Sequence, residues 1–109
     1  MITLRDGPAK GTYMVKRAPL YLRAVMNKSG RTGGNDVLDQ PDDEPAEAEA
    51  VHVYRRVGEA GHVHINTANR RARGFYAMAT YEHLPEVDGE ALRETGAWRN
   101  WVADCEAQL

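Results

Sequence analysis

Three of the four histidines follow a pattern that could bind a metal ion. His62 and His64 are two residues apart, so on a strand both imidazoles face the same side of the sheet. His52 could join them from the preceding strand, and three imidazole nitrogens form a ligand set that suits zinc. The alternative is that these histidines are exposed and pair with Tyr54 or Glu82. Because no cysteine lies nearby, we predict no metal and no other cofactor.

Nucleophilic catalysis has little support among the residue types present. Ser29 is the only serine and lies in a glycine-rich stretch, and the only cysteine, Cys105, lies near the chain end on a predicted helix. A Ser/His/Asp or Cys/His set needs its nucleophile beside a base. We therefore expect a protein that is not an enzyme.

The opening stretch "LRDGPAKGTYMV", residues 4–15, has the glycines and the lysine of a phosphate-binding loop. Such a loop needs a Lys-Ser/Thr pair followed by a helix whose N-terminus faces the anion. Here Lys10 precedes Gly11, and the next residues read as a strand. Gly7 can adopt positive φ and Pro8 presets φ for the following position, so the stretch predicts a turn.

An arginine and aromatic cluster is the strongest functional pattern in the chain. Pairing with phosphates and stacking on bases need cations interleaved with aromatic rings. Phe75 lies between these residues in the sequence, and the candidates for nucleic-acid or partner binding are Tyr54, Arg55, Arg56, Arg70, Arg71, Arg73 and Tyr76. Alternatively, the neighbouring acidic residues lie over these arginines, or the excess of arginine over lysine reflects a GC-rich genome.

The formal net charge of −2 hides a strong segregation of charge along the chain. Residues 1–35 carry seven Lys or Arg and one Asp, whereas residues 36–50 carry seven acids and no base. Such blocks neutralise each other within a fold or mark interaction surfaces. Asp42, Asp43 and Glu44 are the candidate acidic partner-binding residues, as a mimic of a phosphate backbone or as part of a solvated linker.

Alternating apolar and polar residues predict strands on both sides of a long linker. Residues 2–5, 12–17 and 20–25 read as a three-stranded meander. Residues 27–50 read as a long, mobile, acidic insert with a brief ordered contact at 37–38. Residues 51–57 and 62–66 read as a hairpin around the glycines of 58–61, and 75–84 close a second meander.

From residue 88 the apolar spacing changes to that of a helix. Asp88 is a plausible N-cap, and a stripe through Trp98, Val102 and Cys105 predicts a C-terminal helix over 88–107 that buries Trp98. Gly96 weakens its first turns. The prediction for 1–109 is a single α+β domain: an antiparallel sheet or small barrel of about six strands with one C-terminal helix.

Segments of the chain also resemble a group of phage proteins. "LRDGPAKG", "APLYLRAV" and "VHVYRR", followed by "FYAMATYEHL", resemble short uncharacterised proteins of actinobacteriophages and their prophages. Those proteins often start with a Gly/Asp-Gly-Pro-x-x-Gly turn and later carry a Tyr-Arg-Arg strand. The resemblance covers residues 2–25 and 51–84 and implies a phage origin, with no catalytic residues to carry over. The acidic segment 39–50 and the C-terminal helix lie outside the shared pattern.

Length and composition restrict the location and the class of function. No apolar run approaches the ~20 residues of a membrane span, and the N-terminal residues do not read as a signal peptide. We expect a protein of the host cytoplasm or of the virion. The sequence favours a non-enzymatic protein-binding module, either a small virion component or a modulator of a host system, with homo-oligomerisation open. Nucleic-acid binding through the arginine cluster is the alternative.

Overall fold

The computed structural model describes residues 1–27, 34–66, 68 and 73–109. The chain forms a six-stranded, mostly antiparallel sheet that curls into a half-barrel, with one C-terminal helix. The strand order is β2-β1-β6-β5-β3-β4. The elements are β1 Ile2–Leu4, β2 Gly11–Tyr13, β3 Tyr21–Asn27, β4 Asp36–Leu38, β5 Glu49–Ile65, β6 Gly74–His83, a 3-10 helix Gly89–Leu92 and α1 Thr95–Ala107. The predicted α+β class, strand number and helix are confirmed.

The first three strands do not form the meander that the sequence predicts. β1 and β2 form a hairpin, but β1 then pairs in parallel with β6, while β3 pairs with β5 and β4. The segment between β2 and β3 explains the difference. Val15 O accepts from Ala77 N on β6, and Leu20 O accepts from Arg56 N on β5. Residues 15–20 therefore cross from one strand to the other, and β3 starts on the far side of β5.

The predicted hairpin at 58–61 is also wrong. β5 is one strand of 17 residues that pairs with β6 along most of its length. The register shifts between Val57 and Gly61, and Gly58 has φ +79°. A glycine at positive φ suits a β-bulge as well as it suits a turn. The glycines therefore bend this strand rather than reverse it.

Two hydrophobic cores lie on the two faces of the sheet, as strand alternation requires. Leu22 and Ala24 of β3 belong to the core inside the curl, together with Tyr81 of β6. Tyr21 belongs to the second core, which joins Val53 to the helical segment. β3 is buried from Tyr21 to Val25 because both of its faces are covered.

The segment 88–107, which the sequence predicts as one helix, forms a short 3-10 helix followed by the α-helix α1. Asp88 caps the 3-10 helix by accepting a hydrogen bond from Glu90 N at 3.0 Å, and α1 begins only at Thr95. Trp98 is 3% exposed, which confirms its predicted burial. It stacks on Trp101 with ring centroids 5.4 Å apart. Among the described residues, no helix has the length and apolarity needed to span a membrane.

Candidate functional site

The distal half of β5 has a free edge. β3 pairs with β5 only over Glu49–Arg55, and β6 is the strand partner of Val57–Ile65. In the described part of the chain, no strand lies along the other side of Val57–Ile65. We call Val57–Ile65 together with Gly74–Met78 the β5–β6 arm. An edge of nine residues exceeds the usual length of a whole strand, about 5–6 residues.

Apolar side chains are exposed on both faces of the arm. Val57 is 38% exposed and Met78 49%, and the register places them on the face that α1 covers further along, over Val53. On the opposite face, Phe75 is 65% exposed and its ring lies 4.6 Å from that of His64. Val57 and Met78 belong to neither of the two cores found among the described residues, so these apolar side chains stay exposed on the arm.

Arg55 and Arg56 do not form a common cationic surface, because consecutive residues of a strand point to opposite faces. Arg55 donates to Glu82 at 2.7 Å, which raises the Arg55 pKa, and Arg5 donates to the same carboxylate at 2.7 Å. Arg56 donates to the carbonyl oxygens of Ala18 and Gly58. Both arginines are thus engaged within the fold.

The two tyrosines of the predicted cluster are buried and cannot stack on a base. Tyr54 is 0% exposed; its hydroxyl donates to Asp6 O at 2.9 Å and accepts from Ala9 N at 3.0 Å. Burial raises its pKa. Tyr54 therefore anchors the opening turn, in which Gly7 has φ +78° as the sequence predicts. Tyr76 is 7% exposed, with the Lys16 ammonium 3.8 Å above its ring.

Three arginines of the predicted cluster follow β5 in the sequence. Arg70 and Arg71 lie outside the described residues, whereas Arg73 is described and exposed. Phe75 lies two positions after Arg73, with Gly74 between them. Of the predicted nucleic-acid surface, only this Arg73 and Phe75 pair is exposed and adjacent among the described residues.

The three histidines of the predicted metal site do not come together. His52 and His62 are ten positions apart on the same strand, or roughly 30 Å. The His52 ring instead lies 5.8 Å from that of His83. Burial lowers the His52 pKa, and the charge of His83 lowers it further. Within the described ranges, no group of three or more His, Cys, Asp or Glu could hold a metal ion.

The acidic residues of the insert face α1. Asp42 pairs with Arg99, and Glu44 Oε1 accepts from Thr95 Oγ1 at 2.9 Å. The Asp43 carbonyl oxygen accepts from the buried Arg23. Earlier in the segment, β4 pairs with β3, and Val37 is 6% exposed, at the ordered contact predicted for 37–38. These contacts attach the acidic segment to the helical side of the sheet.

A cavity that the sequence gives no sign of lies where β3 begins. It has a volume of about 650 Å³, within the range of small-ligand sites. We call it the α1 cavity. Its walls come from residues 16–19 and Tyr21, from 38–41 at the end of β4, from one side of α1, and from His62 on the arm. These segments are far apart in sequence, so no local pattern marks the site.

No family model matches the chain, and no curated protein or solved structure is significantly similar to it.

Proposed function

We propose that this protein is a non-enzymatic module that binds an extended segment of a partner protein along the free edge of β5. The observation that carries the proposal is that one edge of Val57–Ile65 has no strand partner among the described residues, beside the exposed side chains of Val57, Phe75 and Met78. Addition of a strand to such an edge supplies main-chain hydrogen bonds, and pockets for alternate side chains supply specificity.

The arm has some protection against pairing with arbitrary strands. The bulge between Val57 and Gly61 distorts the edge, and Glu59 places a charge beside it. Bulges and charged residues are devices by which folded proteins limit edge-to-edge aggregation. A partner strand that pairs with residues 61–65 and packs its own apolar side chains on those of the arm would therefore bind in preference to unrelated strands.

Panning a library of dodecapeptides with free C-termini against the purified protein tests this proposal. We expect enriched peptides with alternating apolar residues. On binding, alternate amides of Val57–Ile65, those not bonded to β6, should become slow in hydrogen exchange. No enrichment, or protection elsewhere than β5, would contradict the proposal.

Met78→Asp provides a variant that changes the arm without touching a buried side chain. We expect it to weaken peptide binding at least tenfold, because it places a carboxylate on the apolar face of the arm. Met14→Asp is a matched control, since both methionines are 49% exposed. Equal losses in the two variants would show that the arm is not the binding surface.

We further propose, following the resemblance noted in the sequence, that the protein is a phage or prophage product acting in the virion or on a host system. Position of the gene among head and tail genes would favour the virion, and position among early or lysogeny genes would favour the host system. A gene outside any phage or prophage region would contradict this origin.

Nucleic-acid binding is the second candidate, favoured by the adjacent exposed Arg73 and Phe75. A phosphate contact releases counterions, so affinity should fall with salt at a slope of about −0.7 to −0.9 per contact. Titration of single- and double-stranded oligonucleotides at low salt, with Phe75→Ala as the variant, tests it. Absence of binding at low salt would exclude this candidate.

A further inference from the structure

The α1 cavity lies beside the free edge of β5, in line with β3. The last strand pair between β3 and β5 joins Tyr21 to Arg55, and Leu20 O then accepts from Arg56 N at 2.8 Å. Beyond that point β3 has ended, and the cavity is lined by Tyr21 at the start of β3 and by His62 of the arm. A chain that pairs with the β5 edge and runs toward β3 therefore reaches this cavity.

One side of the cavity is apolar and aromatic. Trp98 and Val102 of α1, Tyr21 of β3 and Leu38 of β4 line it. The Tyr21 ring packs edge-on against Trp101, at 5.0 Å between centroids, which fixes the orientation of this wall. Such a surface fits one large apolar side chain.

Two cations on the cavity wall have no acidic partner in the part of the chain that the structure describes. Arg17 donates to the neutral side chain of Gln40 at 2.8 Å, and Lys16 lies over the Tyr76 ring. The ion pairs of the described residues involve neither of them. Arg99, a third cation of the lining, pairs with Asp42, and the two carboxylates of the lining, Asp39 and Glu106, enter none of these pairs. Lys16 and Arg17 are thus the donors that the lining offers to an anionic group, whereas the charges of Asp39 and Glu106 disfavour one.

We propose that the α1 cavity binds the C-terminal residue of the partner segment, and this inference rests on the proposed function. The partner pairs with the β5 edge, its last side chain packs on Val102 and Leu38, and its terminal carboxylate meets Lys16 and Arg17. An apolar C-terminal residue with a free carboxylate combines the two chemistries of the cavity. The partner is thus recognised by its chain end, in addition to its strand.

A pair of synthetic peptides tests this inference directly. The strongest peptide from the library is prepared with a free C-terminal carboxylate and with a C-terminal amide, and both are titrated by calorimetry. We expect the amide to bind about tenfold more weakly or worse, because a charge-assisted hydrogen bond contributes at least that factor. Equal affinities, with β5 amides still protected, would overturn this inference and leave the proposed function standing.

A bulky substitution in the cavity tests whether the peptide occupies it. Ala103→Trp places an indole in the cavity from an exposed position of α1, and we expect it to weaken binding of the free-acid peptide at least tenfold. Asn100→Trp, exposed on the same helix but outside the cavity lining, is the matched control. Loss of affinity in both variants, or in neither, would overturn the assignment of the cavity.

The combination of Lys16→Gln and Arg17→Gln tests the role of the cations. In this variant the free-acid and amide peptides should bind with the same affinity, because nothing remains to distinguish a carboxylate from an amide. If the tenfold preference persists, the carboxylate is bound elsewhere and the proposal fails. Far-UV circular dichroism confirms that the variant is folded, and both positions are exposed enough to tolerate glutamine.

Discussion

Replacement of Arg23 by methionine should remove a cation that joins three segments of the fold. Arg23 is 0% exposed on β3, and its guanidinium donates to the carbonyl oxygens of Leu92, Arg93 and Asp43. It also lies 5.0 Å from the centre of the Trp98 ring. One side chain therefore connects the sheet to the end of the 3-10 helix and to the acidic segment.

The expected loss of stability depends on how many of these hydrogen bonds water can replace. A hydrogen bond to a charged group contributes about 1.5–3 kcal/mol, and an unpaired buried acceptor costs a similar amount. The bond to Leu92 O is buried, whereas those to Arg93 and Asp43 are partly accessible to water. Against this, burial disfavours the charged guanidinium and lowers its pKa, and its Nε has no hydrogen-bond partner among the described residues. We expect Arg23→Met to destabilise the fold by about 3 kcal/mol.

Urea unfolding followed by tryptophan fluorescence measures this loss, because Trp98 lies beside the guanidinium. Arg55→Met is the matched control, because Arg55 of β5 lies on the same face of the sheet as Arg23 of β3. Arg55 pairs with Glu82, but its side chain is 50% exposed, so we expect a loss of stability below about 1 kcal/mol. Arg23→Lys should lose nearly as much as Arg23→Met, since a single ammonium lacks the planar fork that spans three carbonyls. An Arg23→Met variant as stable as the native protein would refute this reasoning.

The remaining predictions concern the helix, the glycines and pH. Trp98→Ala should lose about 3–5 kcal/mol of stability in the same urea assay, because the ring is almost fully buried. Cys105 should react with a thiol reagent more slowly than a free cysteine, since burial and then Asp104 raise its pKa. Gly89→Ala should destabilise by at least about 2 kcal/mol, because its Cβ would lie 2.1 Å from Val51 O, whereas Gly96→Ala meets nothing and should stabilise by up to ~1 kcal/mol. The His52 pKa is lower in the folded than in the unfolded state, so stability should fall as the pH drops below the unfolded value of 6.5, and His52→Gln should reduce that fall.

The sequence predicts which stretches are strands better than it predicts how they pair. Alternation and β-branched residues locate most of the strand residues, and Asp88 marks where helical structure begins. Pairing depends on where the chain crosses between strands, and the crossing at residues 15–20 is fixed by backbone bonds to Ala77 and Arg56. Such bonds leave no trace in local composition. Likewise, Gly58 and Gly61 read as a turn, because a bulge uses the same residue type.

Charge patterns along the chain do not predict which cations remain available for a partner. Arg55 and Arg56 lie in a basic and aromatic stretch, yet they are engaged by Glu82 and by backbone carbonyls. Lys16 and Arg17 occupy an unremarkable position before Pro19, and they remain without an acidic partner among the described residues because the chain carries them across the sheet. A cation is available for a ligand when the fold, and not the sequence neighbourhood, leaves its charge unneutralised. The free-acid and amide peptides measure how available these two cations are at the α1 cavity, which four segments distant in sequence form together.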